Sequence, residues 1–261
     1  MKNKVVWITG ASSGIGKALA QQYAQMGATV VLSARSLATL NEVKSTLVDP
    51  EKHLSLELDL EKSDNFETLA KEVISKLGNI DILINNGGIS QRSEVHETSM
   101  EINRRIMEVN YFGNIALTKA VLPYFRAQKS GQIIVISSIA GKFGFFLRSA
   151  YSASKHALQG FYEALLLEEE KNNIRVSLIY PGKINTDISK NALNSEGQKH
   201  GIMDHNQKTG MSPEECAKQI IKASSKGKIE VLIGYKEIKA VTIKRFWPWL
   251  FWKLIRKQDA V

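Results

Sequence analysis

Val5-Val6-Trp7-Ile8-Thr9-Gly10-Ala11-Ser12-Ser13-Gly14-Ile15-Gly16-Lys17 is the stretch whose reading decides the fold. Five residues rich in β-branched types read as a buried strand, and from Ile15 onward the apolar residues recur at helical spacing. The turn between them is rich in glycine. Glycines permit a tight turn and let backbone N–H groups approach an anion, while the helix that follows aims the positive end of its dipole at the same place. The spacing is G-x-x-x-G-x-G, not the G-x-G-x-x-G of the general dinucleotide fingerprint. Such turns also serve purely structural ends, so the stretch gains its meaning from its company.

The same alternation repeats outward. Runs rich in Val and Ile at 29–33, 54–58, 80–84, 132–137, 175–180 and 230–233 read as further strands. Between them, 15–26, 37–47, 65–77, 101–128, 151–171 and 213–223 each carry one apolar stripe at helical period. Continuous apolar strands alternating with amphipathic helices predict βαβ units and a parallel sheet buried on both faces. The expectation is a single-domain α/β Rossmann fold, a doubly wound seven-stranded parallel sheet with helices on both faces. No Pro-, Gly- or Ser-rich linker and no internal repeat divides the chain, so residues 1–243 are read as one catalytic domain and 244–261 as a basic aromatic tail. The polar stretch 188–210 is long for a loop in a compact domain and is read as a substrate lid.

With 43% hydrophobic and 23% charged residues in 261, the composition is that of a soluble globular protein and excludes a low-complexity or disordered chain. The single cysteine, Cys216, allows no internal disulfide, no metal-ligand spacing is present, and a reducing compartment is expected. Met1 to Lys4 lead straight into the first strand, which leaves no room for a secretion leader, and no apolar run reaches the ~18 residues of a spanning helix. The expected location is the cytoplasm. A net charge of +9 fits an anionic cofactor, an anionic membrane face or nucleic acid. Part of the excess is local, at Lys244, Arg245, Lys253, Arg256 and Lys257.

At the end of the second strand, an NAD-binding unit would place Asp or Glu against the ribose hydroxyls, but this chain has Ser33-Ala34-Arg35-Ser36. An acid there would repel a 2′-phosphate. Arg35 offers a guanidinium fork suited to phosphate and a flat face for adenine. The residues therefore favour NADP(H) over NAD(H).

Tyr151 and Lys155 are four apart and share a helix face. A free phenol has a pKa near 10 and is almost wholly protonated at neutral pH. A close ammonium and the positive end of the helix would lower that pKa, by about 2 to 3 units if they supply about 3 to 4 kcal/mol. Thirteen residues before the tyrosine, Ser138 follows the strand 132–137 at its carboxyl end, where open α/β sheets bind ligands. Its hydroxyl can donate to a carbonyl oxygen that gains charge. Ser137 beside it is a candidate on strand geometry alone, and the spacing to the tyrosine favours Ser138.

In these features the chain resembles the short-chain dehydrogenase/reductase family, from its start to about residue 235. Thr9 to Gly16 match the family's glycine motif, with Gly10, Ser12, Ser13, Gly14, Ile15 and Gly16 as the implied cofactor contacts. Asp59-Leu60 match its adenine contact, and Asn85-Asn86-Gly87-Gly88 its Asn-Asn-Ala-Gly segment, with Asn86 and Gly87 at the cofactor. Asn110, Ser138, Tyr151-x-x-x-Lys155 and Pro181-Gly182-Lys183-Ile184-Asn185-Thr186 follow in family order. The resemblance implies hydride transfer between a nicotinamide and a carbonyl or alcohol. Tyr151 would be the acid or base, Lys155 would hold the nicotinamide ribose, Ser138 would orient the carbonyl, and Asn110 would fix a water that refills the proton. Pro181, Gly182, Ile184 and Thr186 would line the nicotinamide. Two positions depart from the pattern: Gly87 stands where Ala is usual, at little expected cost, and Ser13 stands where several NADP-dependent members carry a basic residue. The phosphate preference therefore leans on Arg35.

Between Ser138 and Tyr151 lies Lys142-Phe143-Gly144-Phe145-Phe146-Leu147-Arg148. Held beside the reacting carbon at both ends, it reads as an apolar pocket wall in which Phe143 and Phe145 meet a lipophilic substrate, or equally as core or subunit packing. The chain is similar here to the subgroup that includes 11β-hydroxysteroid dehydrogenase type 1 and the dehydrogenase/reductase member 7-like proteins, which implies a steroid, retinoid or fatty ketone or aldehyde. The helices at 101–128 and 151–171 are those the family uses to pair subunits, so a homodimer or homotetramer is expected. In the tail, Phe246, Trp247, Trp249, Phe251 and Trp252 stand among cations. Such a segment suits a membrane surface through 244–257, on the inner face, or docks on its own domain or a twofold partner. It offers no extended groove for nucleic acid, which is not expected as a partner. Two rivals to an enzyme remain: a catalytically silent nucleotide-binding regulator, which would be free to lose Tyr151 or Lys155, and a membrane-tethered interaction protein led by its tail.

Overall fold

A computed structural model of the chain describes residues 1–202 and 208–258. Seven parallel strands form one sheet: β1 (Val5–Thr9), β2 (Thr29–Ala34), β3 (Leu54–Glu57), β4 (Ile82–Asn85), β5 (Gly131–Ile136), β6 (Ile174–Pro181) and β7 (Glu230–Ile233). Their spatial order is β3-β2-β1-β4-β5-β6-β7. The order reverses between β1 and β4, and the crevice outside the carboxyl ends at that reversal is where such sheets take ligands. The doubly wound α/β expectation is met.

The sheet is buried on both faces because its strands are apolar on both. In β1, Val5 and Trp7 enter one core while Val6 and Ile8 enter the other, and in β5 Ile133 and Val135 are separated in the same way from Ile134 and Ile136. The first core is closed by α3 (Phe66–Leu77), α5 (Gly113–Ala127) and α6 (Ser149–Glu169), through Phe66, Val73, Leu117, Phe125, Leu158 and Tyr162. The second is closed by α1 (Gly14–Gln25), α2 (Leu37–Ser45) and α7 (Pro213–Ser225), through Leu19, Tyr23, Leu40, Val43 and Ile220. Cys216 is a buried free thiol within that core.

Three departures from the expected elements bear on the site. The helix expected over 101–128 is α4 (Met100–Met107), then a π-helical segment at Glu108–Phe112, then α5. The helix expected to begin at Tyr151 begins at Ser149, so Tyr151 lies within its first turn rather than at its start. The carboxyl end, to which no helix bounds were assigned, forms α8 (Lys239–Phe246) and α9 (Pro248–Ile255), so the boundary drawn at 243/244 falls inside α8. No helix among the described residues is long and apolar enough to cross a membrane. The expected lid, 188–210, lies in part outside the described residues. Its described part is pinned at Leu193, whose N–H donates to Ser90 O at 2.8 Å and whose carbonyl accepts from Arg92 N at 2.7 Å.

Candidate active site

One cavity of about 1440 Å³ opens along the carboxyl ends of the strands. It exceeds the few hundred to ~1,000 Å³ of an ordinary small-ligand pocket, so a dinucleotide and a second molecule fit together. At one end lies the glycine turn. Gly10 and Gly14 have φ of +65° and +51°, a left-handed backbone that favours glycine. A Cβ on Gly10 would lie 2.9 Å from Gly87 Cα, one on Gly14 3.0 Å from Thr186 Cγ2, and one on Gly16 2.2 Å from Gly10 O. The turn is thus an open cradle at the N-terminus of α1, where the cap residue Ser13 makes no side-chain capping bond. Its free N–H groups suit a pyrophosphate, and the residues present fit a dinucleotide.

Ser12, Ser13, Ile15, Arg35, Asp59 and Leu60 all border this end. Arg35 is exposed, beside Ser36, whose Oγ accepts from Thr39 N at the start of α2. Asn86 and Gly87 cross from β4, Asn86 Nδ2 donating to Thr9 O at 2.9 Å. Pro181, Gly182, Ile184 and Thr186 line the opposite wall. Gly16 does not reach the cavity surface; it allows the close contact beneath the turn. At Gly87, an added Cβ would meet Leu60 Cδ1 at 2.6 Å, so the glycine leaves Leu60 in place at the cavity wall.

Ser138, Tyr151 and Lys155 face the same cavity farther along, with Phe143 and Phe145 beyond them. Ser138 Oγ accepts from Ala140 N at 3.1 Å, while the buried Ser137 instead donates to Lys155 O at 3.1 Å and ties the strand end to α6. Both Tyr151 and Lys155 are buried. Lys155 Nζ lies 5.8 Å from the Tyr151 ring centre and donates to Ile136 O at 2.9 Å.

The electrostatics correct the expected acidic phenol. Burial raises the Tyr151 pKa above its ordinary value of 10.0, opposed by the Ser138 hydrogen bond and the charge of Arg148. Lys155 is not among the causes, and burial brings its own pKa down from 10.5 to about 8. A low-dielectric site penalises whichever form is charged, so the phenol keeps its proton and the ammonium holds its own more loosely.

Asn110 does not line the cavity. The π-helical segment, a distortion common at functional sites, turns its carboxamide toward the loop after β4, where it donates to Ile89 O (2.8 Å) and accepts from Ile89 N (2.7 Å). It also donates to Ser154 Oγ at 3.0 Å, and Ser154 donates to Tyr151 O at 2.8 Å. Gly88 makes this contact possible, since a Cβ there would stand 2.9 Å from Asn110 Oδ1 and 3.6 Å from Lys155 Nζ.

Several residues at the site were not singled out from the sequence. Arg148, three before the tyrosine, donates to Ser90 Oγ at 3.0 Å and borders the cavity. Gln91 is fully buried and its Oε1 accepts from Ala150 N at 2.8 Å, anchoring the first turn of α6 from a distant loop. Glu237 Oε1 accepts from Lys183 N at 2.9 Å, in space left by Gly182 and Gly234. In the tail, for which docking on its own domain was one expected reading, Phe251 is 2% exposed, meets Phe143 with ring centres 5.1 Å apart, and borders the cavity with Leu254 and Ile255.

Residues 4–197 match the short chain dehydrogenase family. The chain belongs to that family. It is an oxidoreductase of the kind that binds a nicotinamide cofactor and acts on small molecules. It is similar to a dehydrogenase/reductase SDR family protein 7-like of Anopheles gambiae, 45% identical over 240 residues that make up 90% of this chain and 76% of that protein. Among solved structures, it resembles a metagenomic short-chain oxidoreductase in complex with NADP, with TM-score 0.74 and 29% identity over 89% of this chain and 96% of that one. A Burkholderia phymatum short-chain dehydrogenase/reductase in complex with NAD shares the fold, with TM-score 0.85 and 20% identity over 100% and 98% of the two chains. The cofactor preference of this short-chain dehydrogenase is a matter for its own residues.

Proposed function

We propose that this short-chain dehydrogenase is an NADP(H)-dependent reductase of lipophilic carbonyl compounds, a CH–OH/carbonyl oxidoreductase with Tyr151 as its acid. One observation carries the reading: Tyr151, Ser138 and Lys155 meet on the same cavity as the glycine cradle. When bound, the reduced nicotinamide supplies the hydride. Ser138 Oγ–H donates to the carbonyl oxygen, and Tyr151 delivers the proton to that oxygen as its charge grows. A phenol kept neutral by burial holds the proton that reduction requires, and the same groups run backwards would oxidise an alcohol. Lys155, with a pKa brought to about 8, is matched to replacing that proton near neutral pH and to holding the nicotinamide ribose. Asn110 holds the scaffold with its carboxamide. Its main-chain carbonyl accepts one bond from Asn114 Nδ2 and has a second lone pair for the relaying water.

Arg35, Ser36 and Thr39 border the cavity at the N-terminus of α2 and suit a 2′-phosphate, which supports NADP(H) over NAD(H). Phe143, Phe145, Phe251 and Leu254 make the far wall apolar and support a steroid, retinoid or fatty ketone or aldehyde as substrate, under a lid to which the described residues Ile188, Asn191, Leu193 and Gln198 contribute. The single thiol fits a cytoplasmic enzyme, the cationic aromatic tail fits a peripheral position on the inner membrane face, and α5 and α6 are the helices through which a homodimer or homotetramer of this family would pair. The test is NADPH oxidation over a panel of steroids, retinals, aliphatic aldehydes, quinones and acyl ketones. Tyr151→Phe is expected to bind NADPH as the parent does and to lose turnover by about 10²–10⁴-fold. Parental turnover in that variant would refute the assignment.

A further inference from the structure

Helix α6 carries Tyr151 in its first turn and begins without a local cap. The first N–H groups of a helix have no partner inside it and are commonly met by Ser, Thr, Asp or Asn just before the first helical residue. Here that position is Arg148, whose side chain makes no capping bond. The bond comes instead from the loop after β4, where Gln91 Oε1 accepts from Ala150 N at 2.8 Å across 59 positions of chain. Gln91 is fully buried and does not border the cavity.

Its carboxamide has one orientation. Ala150 N can only donate, so the atom facing it is the oxygen. At the other end Thr98 Oγ1 gives its own hydrogen to Glu94 O at 2.6 Å and so accepts from Gln91 Nε2 at 2.8 Å, with Ser93 O and Ser149 Oγ each 3.2 Å from the same nitrogen. The main chain around Gln91 is fastened on both sides. Ile89 exchanges two bonds with the Asn110 carboxamide, Ser90 O and Arg92 N both bond Leu193, and Ser93 N donates to Leu147 O at 3.3 Å. A buried polar group bonded at both ends, on a segment bonded at every neighbour, is a rigid support for what it touches. What it touches is the residue before Tyr151.

We propose that Gln91 is a positioning residue of the reaction: as the cap of α6 supplied from the loop after β4, it sets where the Tyr151 hydroxyl lies relative to Ser138 Oγ and the reacting carbonyl. Its catalytic meaning rests on the reductase reading, whereas the cap does not. Gln91→Met keeps the length of the side chain and removes the cap oxygen, while Thr98→Val removes an acceptor of Nε2 and leaves that oxygen in place. Each should lower the melting temperature by about 2–4 °C. With NADPH and the panel carbonyl that the parent reduces fastest, Gln91→Met should lower kcat by about 10–100-fold, the loss expected when reacting groups are displaced by about 1 Å. Its KM for the carbonyl and its Kd for NADPH should stay close to the parent's, and Thr98→Val should keep parental kcat. Parental kcat in Gln91→Met, or an equal loss of kcat in the two variants, would overturn the proposal. The cap is tested in the parent itself by amide hydrogen exchange: Ala150 should be as protected as amides in the middle of α6, and exchange at the rate of a frayed helix end would overturn the proposal whether or not Gln91→Met folds. Failure of the parent to oxidise NADPH with any carbonyl would defeat the reductase reading and with it the catalytic role, and the exchange of Ala150 would still decide the cap.

Discussion

Replacing Lys155 with Met removes a buried ammonium while keeping an unbranched apolar stem. Burial brings the pKa of Lys155 from 10.5 to about 8. A folded pKa below the unfolded one means that the native state binds this proton more weakly. The group therefore lowers stability in full below pH 8, and the penalty is relieved as pH rises from about 8 toward 10.5. A gap of that size corresponds to about 3 kcal/mol when both states are charged. Integrated over the two titrations, about 2 kcal/mol of it disappears between pH 7 and pH 9.5. At pH 7 the variant also loses the Nζ–H bond to Ile136 O, and a hydrogen bond from a charged group contributes about 1.5–3 kcal/mol. The two effects nearly cancel there, so the diagnostic quantity is the pH slope and not the absolute stability.

The assay is thermal or urea unfolding of the parent and Lys155→Met, without cofactor, at pH 7, 8 and 9.5. Relative to the variant, the parent should gain about 2 kcal/mol over that range, about 4 °C in melting temperature for a chain of this length. Turnover with any carbonyl should be lost in the variant at every pH. Parallel stability curves would refute the reasoning, because they would mean that the ammonium is as well solvated in the native chain as in the unfolded one.

Cofactor choice is tested at Arg35: NADPH should raise the parental melting temperature more than NADH does, and Arg35→Ala should abolish the difference, whereas equal shifts in the parent would end the NADP(H) assignment. Gly87→Ala requires that the end of the Leu60 side chain give way and that Thr9 Oγ1, 3.3 Å from the added Cβ, yield slightly, so the melting temperature should change by no more than about 2 °C while NADPH binding weakens a few-fold by titration. A fall of ten degrees or more would show that Leu60 has nowhere to go.

Where local chemistry determines structure, the sequence is a sufficient guide. The strands are continuous Val- and Ile-rich runs because both faces of a parallel sheet are covered, and the glycines of the turn are required by left-handed backbone and by close approach of the chain to itself. Ser138, Tyr151 and Lys155 were legible for a similar reason, since a strand end and one helical turn place them without reference to distant contacts. The pKa of the phenol was not, because desolvation is a property of everything packed around Tyr151. A spacing of four residues shows that Lys155 is near, and says nothing of the Ile136 carbonyl that holds its Nζ.

What escaped the sequence depends on partners far along the chain. An apolar stripe over 101–128 keeps helical period on either side of Asn110, so the π-helical segment leaves no trace in the periodicity. Its hint is Gly113, where a Cβ would fall 2.1 Å from Leu60 O, a close approach that only glycine permits. Gln91 looks like any polar loop residue until its Oε1 is found beneath Ala150 N, 59 positions on. The tail was ambiguous because its composition is genuinely divided: Phe251 satisfies the docking reading and Trp249 the surface reading, three residues or fewer apart on one short helix. A helix can present an anchor inward and an interface outward at once, and the choice posed from sequence between docking on the domain and contacting a membrane was therefore a false one.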